Sequence, residues 1–226
     1  MQALIFDLDG TLVDSVYPHT LAWHRALTQF GLECPAWAVH RRIGMSGKLL
    51  AKAVAREQGR TLSDAAIEKL EARHIDLFHE IAPSSPALPG ARELLSFLRE
   101  SAIPHGIATS GKRSEIEASL KLLALSPDAI VVDGDMVREV KPEPDLFLLA
   151  QEKLRVERAQ CLVVGDAIWD VHAARRSGIL AIGLLTGGYG EQELYNAGAM
   201  HVYKDPQALY ESIDELGLEH SPSAPK

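Results

Sequence analysis

Two aspartates stand two residues apart, directly after an apolar run near the start of the chain. The run is Ala3–Phe6, and Asp7 and Asp9 follow it. Residues two apart in a strand lie on the same side of that strand. Two carboxylates placed in this way at the end of a buried strand repel each other, and a bound cation would relieve the repulsion.

Polar residues also follow later apolar runs of the sequence. In an open α/β sheet, ligands bind at the carboxyl ends of the strands. The polar residues expected at that edge are Asp7 and Asp9 after the first run, Thr109, Ser110 and Gly111 after the second, Lys141 in the loop after the third, and Asp166 and Asp170 after the fourth. Several carboxylates, a hydroxyl cluster and a lysine are therefore predicted to converge on one edge of the sheet.

This set of groups suits phosphoryl chemistry. Clustered carboxylates without a neighbouring His or Cys favour a hard cation with oxygen ligands, such as Mg2+. A lysine and a hydroxyl opposite a divalent ion suit the oxygens of a transferring phosphoryl group. A nucleophilic carboxylate must be ionised, whereas a general acid must hold a proton. Since free Asp titrates near ~3.9, we expect the pKa of Asp9 to be raised by its charged neighbour, while metal contact keeps Asp7 ionised.

The elements that must position these residues are short apolar runs that alternate with helical patterns. Nearly continuous apolar runs are typical of parallel strands covered on both faces. Strands that alternate with helices predict an α/β fold with a doubly wound, mainly parallel sheet. The predicted strands are Ala3–Phe6, Pro104–Ala108, Ala129–Val132, Cys161–Gly165, Leu180–Leu185 and His201–Tyr203.

A helical insert interrupts this alternation after the first strand. Ser15 is expected to cap a helix that runs to Phe30, and Ser46 to cap another that starts at Gly47. The further helices predicted in the insert are Trp37–Ile43, Gly47–Gln58 and Asp64–Ile81. We therefore predict two units, an α/β core of residues 1–14 and 84–226 and an all-helical cap domain of residues 15–83.

The composition is that of an ordinary globular protein, with 46% apolar and 24% charged residues among 226. A formal net charge of −8 argues against a nucleic acid or an acidic membrane surface as the partner. No apolar run approaches the length of a membrane span. The two cysteines, Cys34 and Cys161, lack the spacing of a metal site, and no secretory signal is visible. A cytoplasmic protein is expected, and its oligomeric state is not indicated.

Four segments, in this order, resemble the four motifs of the haloacid dehalogenase (HAD) superfamily of phosphatases. They are DLDGTLVDS from Asp7, ATSG from Ala108, KPEPD from Lys141 and VVGDAIWD from Val163. The resemblance covers nearly the whole chain, because the insert after the first motif is similar to the helical cap of that superfamily. Within it, the sequence looks most similar to the phosphoglycolate phosphatase and β-phosphoglucomutase branch, which implies a Rossmann-like core.

The resemblance implies a role for each acidic residue. Asp7 would be the nucleophile that forms an aspartyl-phosphate. Asp9 would be the general acid for the leaving alcohol and then the general base for water, and its backbone carbonyl would ligate the metal. Asp166 would ligate Mg2+ directly, with Asp170 supporting it directly or through water. An acid at position 9 also favours phosphoryl transfer, because the dehalogenases of the superfamily lack it.

The resemblance also implies a phosphate site and a substrate-facing cap. Thr109 and the turn at Ser110 and Gly111 would bind phosphoryl oxygens, and Lys141 would balance the charge between phosphate and Asp7. The same turn could simply cap the next helix.

Three residues of the cap are candidates for substrate contact. His19 resembles a cap histidine that lies near the acid/base, although a core or surface histidine is an equal alternative. Arg42 and Lys48 belong to a segment that resembles a cap loop facing the active site, where they would bind a substrate carboxylate or a second phosphate. The alternative for these two residues is a solvated basic face.

These features predict a Mg2+-dependent phosphatase that hydrolyses a small phosphorylated metabolite, either phosphoglycolate-like or sugar-phosphate-like. The alternatives are a β-phosphoglucomutase-like mutase and a non-catalytic metabolite-binding protein on the same fold. Gly165 stands where such mutases often carry an acidic residue, which favours the hydrolase. Ala167 stands where related phosphatases often have Ser or Thr, which puts one supporting hydrogen bond in doubt.

Overall fold

The computed structural model describes residues 2–83 and 85–218. In this part of the chain, six strands form one sheet in which every neighbouring pair is parallel. The strands are β1 (Ala3–Phe6), β2 (His105–Ala108), β3 (Ile130–Val132), β4 (Cys161–Gly165), β5 (Leu180–Leu184) and β6 (His201–Tyr203). Their order across the sheet is β3-β2-β1-β4-β5-β6, which confirms the predicted doubly wound α/β fold.

Four helices follow β1 and form a block of their own. They are α1 (Val16–Gln29), α2 (Ala36–His40), α3 (Gly47–Glu57) and α4 (Asp64–Ile81). A helix with one apolar stripe must bury that stripe against a neighbour. Here the stripes meet one another, in a cluster that includes Trp23 and Leu50. We propose that this helical block is the cap of residues 15–83; residue 84, the predicted start of the second core segment, lies outside the described residues, as do residues 219–226.

The later helices cover the two faces of the sheet. They are α5 (Ala91–Glu100), α6 (Arg113–Leu122), α7 (Asp145–Leu154), α8 (Ile168–Ser177), α9 (Glu191–Ala197) and α10 (Pro206–Glu211). Along β1, Leu4 and Phe6 pack in one apolar cluster, whereas Ala3 and Ile5 pack in another. Burial of both faces explains why the strands are continuous apolar runs.

Most of this architecture follows the sequence pattern. Each of the six predicted strands is present within one residue of its predicted ends. Helices α9 and α10 were not predicted, because helices of 7 and 6 residues have too few turns to show an apolar period. Helix α2 ends at His40 rather than Ile43, since the chain continues in turns to Gly44, whose φ is +92°. Among the described helices, none is long and apolar enough to cross a lipid bilayer.

The two connections between the sheet and the helical block run side by side. Val13 forms an antiparallel bridge with Ala87. Next to it, the Asp14 amide donates to Pro86 O, and the distance is 2.9 Å. These bonds tie the helical block beside the carboxyl end of β1. Because β1 lies between β2 and β4, the loops after these three strands meet at the same place.

Candidate active site

A buried lysine lies between two buried carboxylates at the centre of the sheet edge. Lys141 Nζ is 2.6 Å from Asp7 Oδ1 and 2.8 Å from Asp170 Oδ1, and none of the three side chains is more than 3% exposed. Asp7 directly follows β1, and its amide donates to Val164 O of β4 at 2.9 Å. Burial lowers the pKa of Lys141, but attraction by Asp170 and Asp7 outweighs burial and raises it. The ammonium therefore stays charged.

Asp166 follows β4 and meets the loop after β1. Thr11 Oγ1 donates a hydrogen bond of 2.8 Å to Asp166 Oδ1, which orients the carboxylate. Two glycines pack against its other oxygen. A Cβ at Gly187 would lie 2.1 Å from Asp166 Oδ2, and one at Gly10 would lie 2.4 Å from it. A larger residue at either position would displace the carboxylate, so both glycines are required by close approach.

Both oxygens of Asp170 are already used by protein groups. Oδ1 accepts from Lys141, and Oδ2 accepts from the Ala167 amide at 3.0 Å, in the first turn of α8. A carboxylate at this position is favoured by the helix dipole. The missing hydroxyl at Ala167 therefore does not loosen Asp170, because the backbone makes the bond. This geometry favours the supporting role predicted for Asp170 over direct ligation of a metal.

The carboxylates of the site form a donor set for a hard cation. Oxygens of Asp7, Asp166 and Asp170 lie within 4.8 Å of one another. Burial and repulsion from Asp170 raise the pKa of Asp7 to about 7, against the attraction of Lys141. Burial and repulsion from Asp170 and Asp7 also raise the pKa of Asp166 well above its usual value. Because both oxygens of Asp170 are already used, Asp7 and Asp166 are the carboxylates of this group that fit a divalent cation with oxygen ligands, such as Mg2+.

The pKa of Asp9 differs from the prediction. Burial raises it, but His19, whose Nε2 is 3.4 Å from Asp9 Oδ1, outweighs burial, and so the pKa is lowered. A 2.6 Å hydrogen bond from Ser15 Oγ contributes to the lowering. The prediction of a raised pKa for Asp9 was wrong, because Asp9 has a cationic partner, His19, from α1. That metal contact keeps Asp7 ionised stays a prediction.

Ser15 has a different role from the one predicted. Its position immediately before α1 suggested a helix cap, but its side chain makes no capping bond and donates to Asp9 instead. Ser46, predicted on the same grounds, does cap its helix, since its side chain accepts a 3.4 Å hydrogen bond from the Leu49 amide. The two serines are alike in sequence context, so their roles could be separated only by the tertiary structure.

The turn after β2 offers two donors. Thr109 is buried, and its Oγ1 accepts from the Gly111 amide at 3.1 Å, so its hydroxyl proton is available to another acceptor. The Ser110 amide has no acceptor among residues 2–83 and 85–218. Gly111 was predicted to bind phosphate, but its amide is used by Thr109. Thr109 and Ser110 are therefore the groups of this turn that can meet an anion.

These side chains form the floor of a cavity between the sheet edge and the helical block. The floor consists of Asp7, Asp9, Thr109 and Lys141. The remaining lining residues are Ser110, Gly111, Lys112 and Glu115 from the core and His19, Trp23, Arg42, Ile43, Gly44, Met45, Gly47, Leu50, Glu71, His74 and Ile75 from the helical block. The reacting end of a ligand would meet core groups, and the rest of the ligand would meet groups of both parts.

The structure places His19 of α1 beside the floor. Its Nε2 faces Asp9 at 3.4 Å, its Nδ1 lies 3.1 Å from His74 Nε2 on α4, and its ring stacks on Phe78. Burial lowers the pKa of His19, but attraction by Asp9 outweighs burial and raises it. A proton can therefore pass between His19 and Asp9.

The two cap cations singled out in the sequence are each paired within the helical block. Arg42 lines the cavity, but its guanidinium forms an ion pair with Glu57 and donates to Ala38 O at 2.7 Å. Lys48 is half-exposed, 3.3 Å from Asp64 Oδ1, and does not line the cavity. The structure thus removes Lys48 from the candidate site, because α3 directs its side chain towards Asp64.

Several cavity residues escaped prediction because they come from separate helices. Lys112 Nζ is 2.9 Å from Glu71 Oε2 of α4. Glu115 Oε1 is 3.7 Å from both His19 Nδ1 and His74 Nδ1. The only local signal is the position of Glu115 three residues after Lys112, which suits a carboxylate in the first turn of α6. The Lys112 amide does donate to Glu115 Oε2, at 3.2 Å. That pattern carries no information about a ligand.

Comparisons with known proteins define the family. The model of the haloacid dehalogenase-like hydrolases matches residues 1–178. The crystal structure of a hydrolase from Pseudomonas syringae superposes with a TM-score of 0.92 at 43% identity, covering 96% of this chain and 99% of that one. A phosphoglycolate phosphatase of Rhodospirillum rubrum is 33% identical over 215 residues, covering 92% of this chain and 89% of its own.

A second curated relative has a different substrate in its name. Validoxylamine A 7'-phosphate phosphatase of Streptomyces hygroscopicus subsp. limoneus is 32% identical over 187 residues, which cover 80% of this chain and 84% of that protein. The chain belongs to the haloacid dehalogenase-like hydrolase family, in the phosphatase branch with phosphoglycolate phosphatases and β-phosphoglucomutase-like proteins. The resemblance carried by the four motifs is thereby confirmed.

Proposed function

We propose that the protein is a Mg2+-dependent phosphatase that hydrolyses a small phosphorylated metabolite through an aspartyl-phosphate on Asp7. The observation that carries the proposal is that Asp7 and Lys141 lie buried at the floor of the cavity, with Asp170 buried beside Lys141. Charges enclosed to this degree cost free energy unless they are paired, and they concentrate at functional sites.

Asp7 is the carboxylate best placed to attack phosphorus. Lys141 holds Asp7 Oδ1 at 2.6 Å, which leaves Oδ2 for the attack. The Lys141 ammonium, the Thr109 hydroxyl and the Ser110 amide would stabilise the charge on the phosphoryl oxygens. As Asp7 Oδ2 bonds to phosphorus, the bond from phosphorus to the leaving oxygen breaks, and that oxygen keeps the electron pair.

Asp9 and His19 would transfer the proton that the leaving oxygen requires. A phosphate dianion beside Asp9 raises the pKa of its carboxyl group, which favours proton transfer from His19 Nε2 across the 3.4 Å contact. Asp9 then protonates the leaving oxygen. In the second step Asp9 is a carboxylate and accepts a proton from the water that attacks phosphorus; the bond between phosphorus and Asp7 Oδ2 breaks, which releases phosphate and regenerates Asp7. The lowered pKa of Asp9 keeps its carboxylate ionised, so that it can accept this proton.

Mg2+ fits the carboxylate donor set of this site. Asp7, Asp166 and the Asp9 backbone carbonyl would hold the ion, with Asp170 in support. When bound, the ion supplies Lewis-acid stabilisation of the phosphoryl oxygens. The chain keeps Asp166 in place through the Thr11 hydrogen bond and the close-packed glycines at positions 10 and 187.

The hydrolase is proposed ahead of the two alternatives. A mutase must retain a doubly phosphorylated sugar. Apart from Lys141 at the floor, the Lys and Arg residues among the described lining residues are Arg42 and Lys112, and both are paired with carboxylates. A non-catalytic binding protein would have no need to enclose Lys141 between two carboxylates. Both cysteines are free and buried, which suits a reducing compartment, and we propose a cytoplasmic setting.

Phosphate release from p-nitrophenyl phosphate tests the proposed function. We expect activity with Mg2+, loss of activity with EDTA, and abolition by Asp7→Asn. Asp14→Asn is the matched control, because Asp14 is an exposed residue of the same motif and should leave the rate unchanged. Activity that survives Asp7→Asn would overturn the nucleophile assignment, and absence of any Mg2+-dependent phosphatase activity would overturn the proposed function.

A further inference from the structure

The cavity has a polar outer wall that the reaction at the floor does not use. It consists of Trp23, Glu71 and His74 from the helical block and Lys112 and Glu115 from the core. Since the phosphoryl group is held at the floor, these side chains would meet the leaving alcohol. Their charges and hydrogen-bonding atoms therefore indicate what kind of alcohol the site accepts.

The cations around the cavity are all neutralised by protein carboxylates. Among the described lining residues, the Lys and Arg side chains are Arg42, Lys112 and Lys141. Lys112 pairs with Glu71 at 2.9 Å, Arg42 pairs with Glu57, and Lys141 is held at the floor. A carboxylate or second phosphate on the leaving group would compete with Glu71 or Glu57 for these cations, and it would place its charge in a cavity that Glu115 also lines.

Two polar atoms of the outer wall have no hydrogen-bond partner in the described chain. Glu115 Oε2 accepts from the Lys112 amide, but Glu115 Oε1 lies 3.7 Å from its nearest ring nitrogens, too far for a hydrogen bond. His74 Nε2 contacts His19 at 3.1 Å, whereas His74 Nδ1 is 3.7 Å from Glu115 Oε1. A donor or acceptor nitrogen and an acceptor oxygen thus stand side by side at the cavity.

One hydroxyl group can satisfy both atoms. An alcohol oxygen placed ~2.8 Å from each would close a triangle whose base is the 3.7 Å separation of His74 Nδ1 and Glu115 Oε1. A hydroxyl both donates and accepts, so it can donate to Glu115 and accept from His74. A carboxylate or phosphate oxygen only accepts, and it would face the lone pairs of Glu115.

The remainder of the outer wall suits a carbon skeleton. Trp23 is buried and stacks on His74 with ring centroids 4.3 Å apart, which fixes the imidazole. Met45 and Ile75 also line this part of the cavity. Apolar side chains beside a few convergent polar atoms are typical of a site for a small neutral molecule.

We propose that the leaving group is a neutral polyhydroxylated alcohol, of the sugar alcohol or cyclitol class, which is recognised by a hydroxyl held between His74 Nδ1 and Glu115 Oε1. Carboxylated and doubly phosphorylated substrates are disfavoured, because they find paired cations and an additional carboxylate. The proposal rests on the proposed phosphatase function of the same site.

A substrate panel with the wild-type protein tests this directly. In the presence of Mg2+, kcat/KM is measured for sorbitol 6-phosphate, 2-phosphoglycolate, glucose 1,6-bisphosphate and p-nitrophenyl phosphate. We expect the polyol phosphate to exceed phosphoglycolate and the bisphosphate at least tenfold. With aryl phosphate hydrolysis intact, equal or faster turnover of phosphoglycolate or of the bisphosphate overturns the inference. Absence of aryl phosphate hydrolysis instead overturns the proposed function.

Substitutions at the outer wall test the assignment of residues. Glu115→Gln should lower the ratio of kcat/KM for the polyol phosphate to that for phosphoglycolate at least fivefold. Glu117→Gln is the control on the same helix, because Glu117 pairs with Lys121 on the surface, and it should leave the ratio unchanged. An unchanged ratio in folded Glu115→Gln contradicts the assignment.

A variant at Glu71 tests the same proposal in the opposite direction, because it should increase the turnover of an anionic substrate. Glu71→Ala leaves the Lys112 ammonium without its partner at the cavity, so phosphoglycolate turnover should rise relative to the polyol phosphate. If Glu115→Gln fails to fold, this variant and the wild-type panel still decide the question. A fall or no change in relative phosphoglycolate turnover would contradict the idea that pairing of Lys112 excludes anionic substrates.

Discussion

The floor and the outer wall of the cavity use charge in different ways. At the floor, Lys141 is 1% exposed and sits between two carboxylates that are equally buried. At the outer wall, the side chain of Lys112 is 45% exposed and pairs with one carboxylate, Glu71. The groups that would handle the phosphoryl end, which all substrates share, are enclosed and held from several sides. The ion pair that would meet the variable leaving alcohol is partly solvated, although Trp23 and His74 beside it are buried.

The degree of burial changes how much each ion pair contributes to the free energy of unfolding. Breaking a buried ion pair leaves an uncompensated charge and costs about 3–5 kcal/mol, whereas an exposed pair contributes about 0–1 kcal/mol. The Lys112–Glu71 pair can therefore be lost at little cost in stability, whereas loss of Lys141 is expected to destabilise the fold. The two lysines offer a matched pair of variants with which to test this contrast.

The largest effect is expected for Lys141→Met. Loss of the ammonium removes a stabiliser of phosphoryl charge, so aryl phosphate hydrolysis should fall at least ~100-fold. Asp7 and Asp170 would also lose their shared partner, and the free energy of unfolding should fall by about 3–5 kcal/mol. Steady-state kinetics and urea denaturation measure the two effects. A variant with near-normal stability would contradict the view that Lys141 is what compensates the buried carboxylates.

The second prediction concerns Mg2+ and pH. The raised pKa values of Asp7 and Asp166 mean that the folded protein binds protons more tightly than the unfolded chain. Without metal, the free energy of unfolding should therefore fall as the pH rises from 3.8 towards about 7, the span of the Asp7 shift. Mg2+ competes with those protons, so it should stabilise the protein more at pH 8 than at pH 5.5.

Thermal denaturation with and without Mg2+ measures this effect. At a Mg2+ concentration of about 100 times Kd, stabilisation at pH 8 should approach about 2.7 kcal/mol. Asp166→Asn should lose most of the Mg2+-induced shift in Tm. Equal stabilisation at the two pH values would show that Asp7 and Asp166 do not form the metal site, and the functional contrast between the two parts of the cavity would be weakened.

The third prediction uses the two serines that have the same sequence context. Ser15→Ala removes a donor to the ionised Asp9, so the pKa of Asp9 should rise. The limb of the pH–rate profile that belongs to Asp9 should move to higher pH, by about 0.5–1 unit if the bond contributes about 1 kcal/mol.

Ser46→Ala is the matched control for Ser15→Ala. Because Ser46 does cap α3, its loss should cost about 1 kcal/mol of stability without moving the pH–rate profile. If Ser15→Ala lowers stability and leaves the profile in place, Ser15 acts as a helix cap, as its sequence position suggests.

The difference between the floor and the outer wall also explains which site residues could be predicted from the sequence. Asp7, Thr109, Lys141 and Asp166 were found because each follows a strand, and parallel strands bring their carboxyl ends to one edge. His74 and Glu115 were not predicted, because they lie on helices of different parts of the molecule and meet only in the folded structure. Helical periodicity identifies the buried face of α4, but not which core residue lies opposite.

The direction of the pKa shifts of Asp7 and Asp9 could also not be predicted from the sequence. Spacing showed that Asp7 and Asp9 share a strand end and repel each other. It did not show that Asp170 would lie behind Asp7, or that His19 and Ser15 would lie beside Asp9. Electrostatic shifts depend on distances of a few ångströms between groups that are far apart in the chain. The motifs contain Asp170 and Ser15 but not His19, and they do not give the distances on which the protonation of Asp7 and Asp9 depends.

The smallest effect is expected for Lys112→Met, and it completes the comparison of the two lysines. Because the pair with Glu71 is partly solvated, its loss should lower the free energy of unfolding by at most about 1 kcal/mol. Salt screens such a pair, so the difference from wild type should vanish near 1 M NaCl, where the Debye length is about 3 Å. The Lys141→Met deficit should persist at that salt concentration, because its carboxylates are buried. Urea denaturation of both variants at low and high salt measures the contrast. A salt-insensitive loss of several kcal/mol at Lys112 would mean that the outer wall is built like the floor, and that leaving-group selection could not be altered without destabilising the fold.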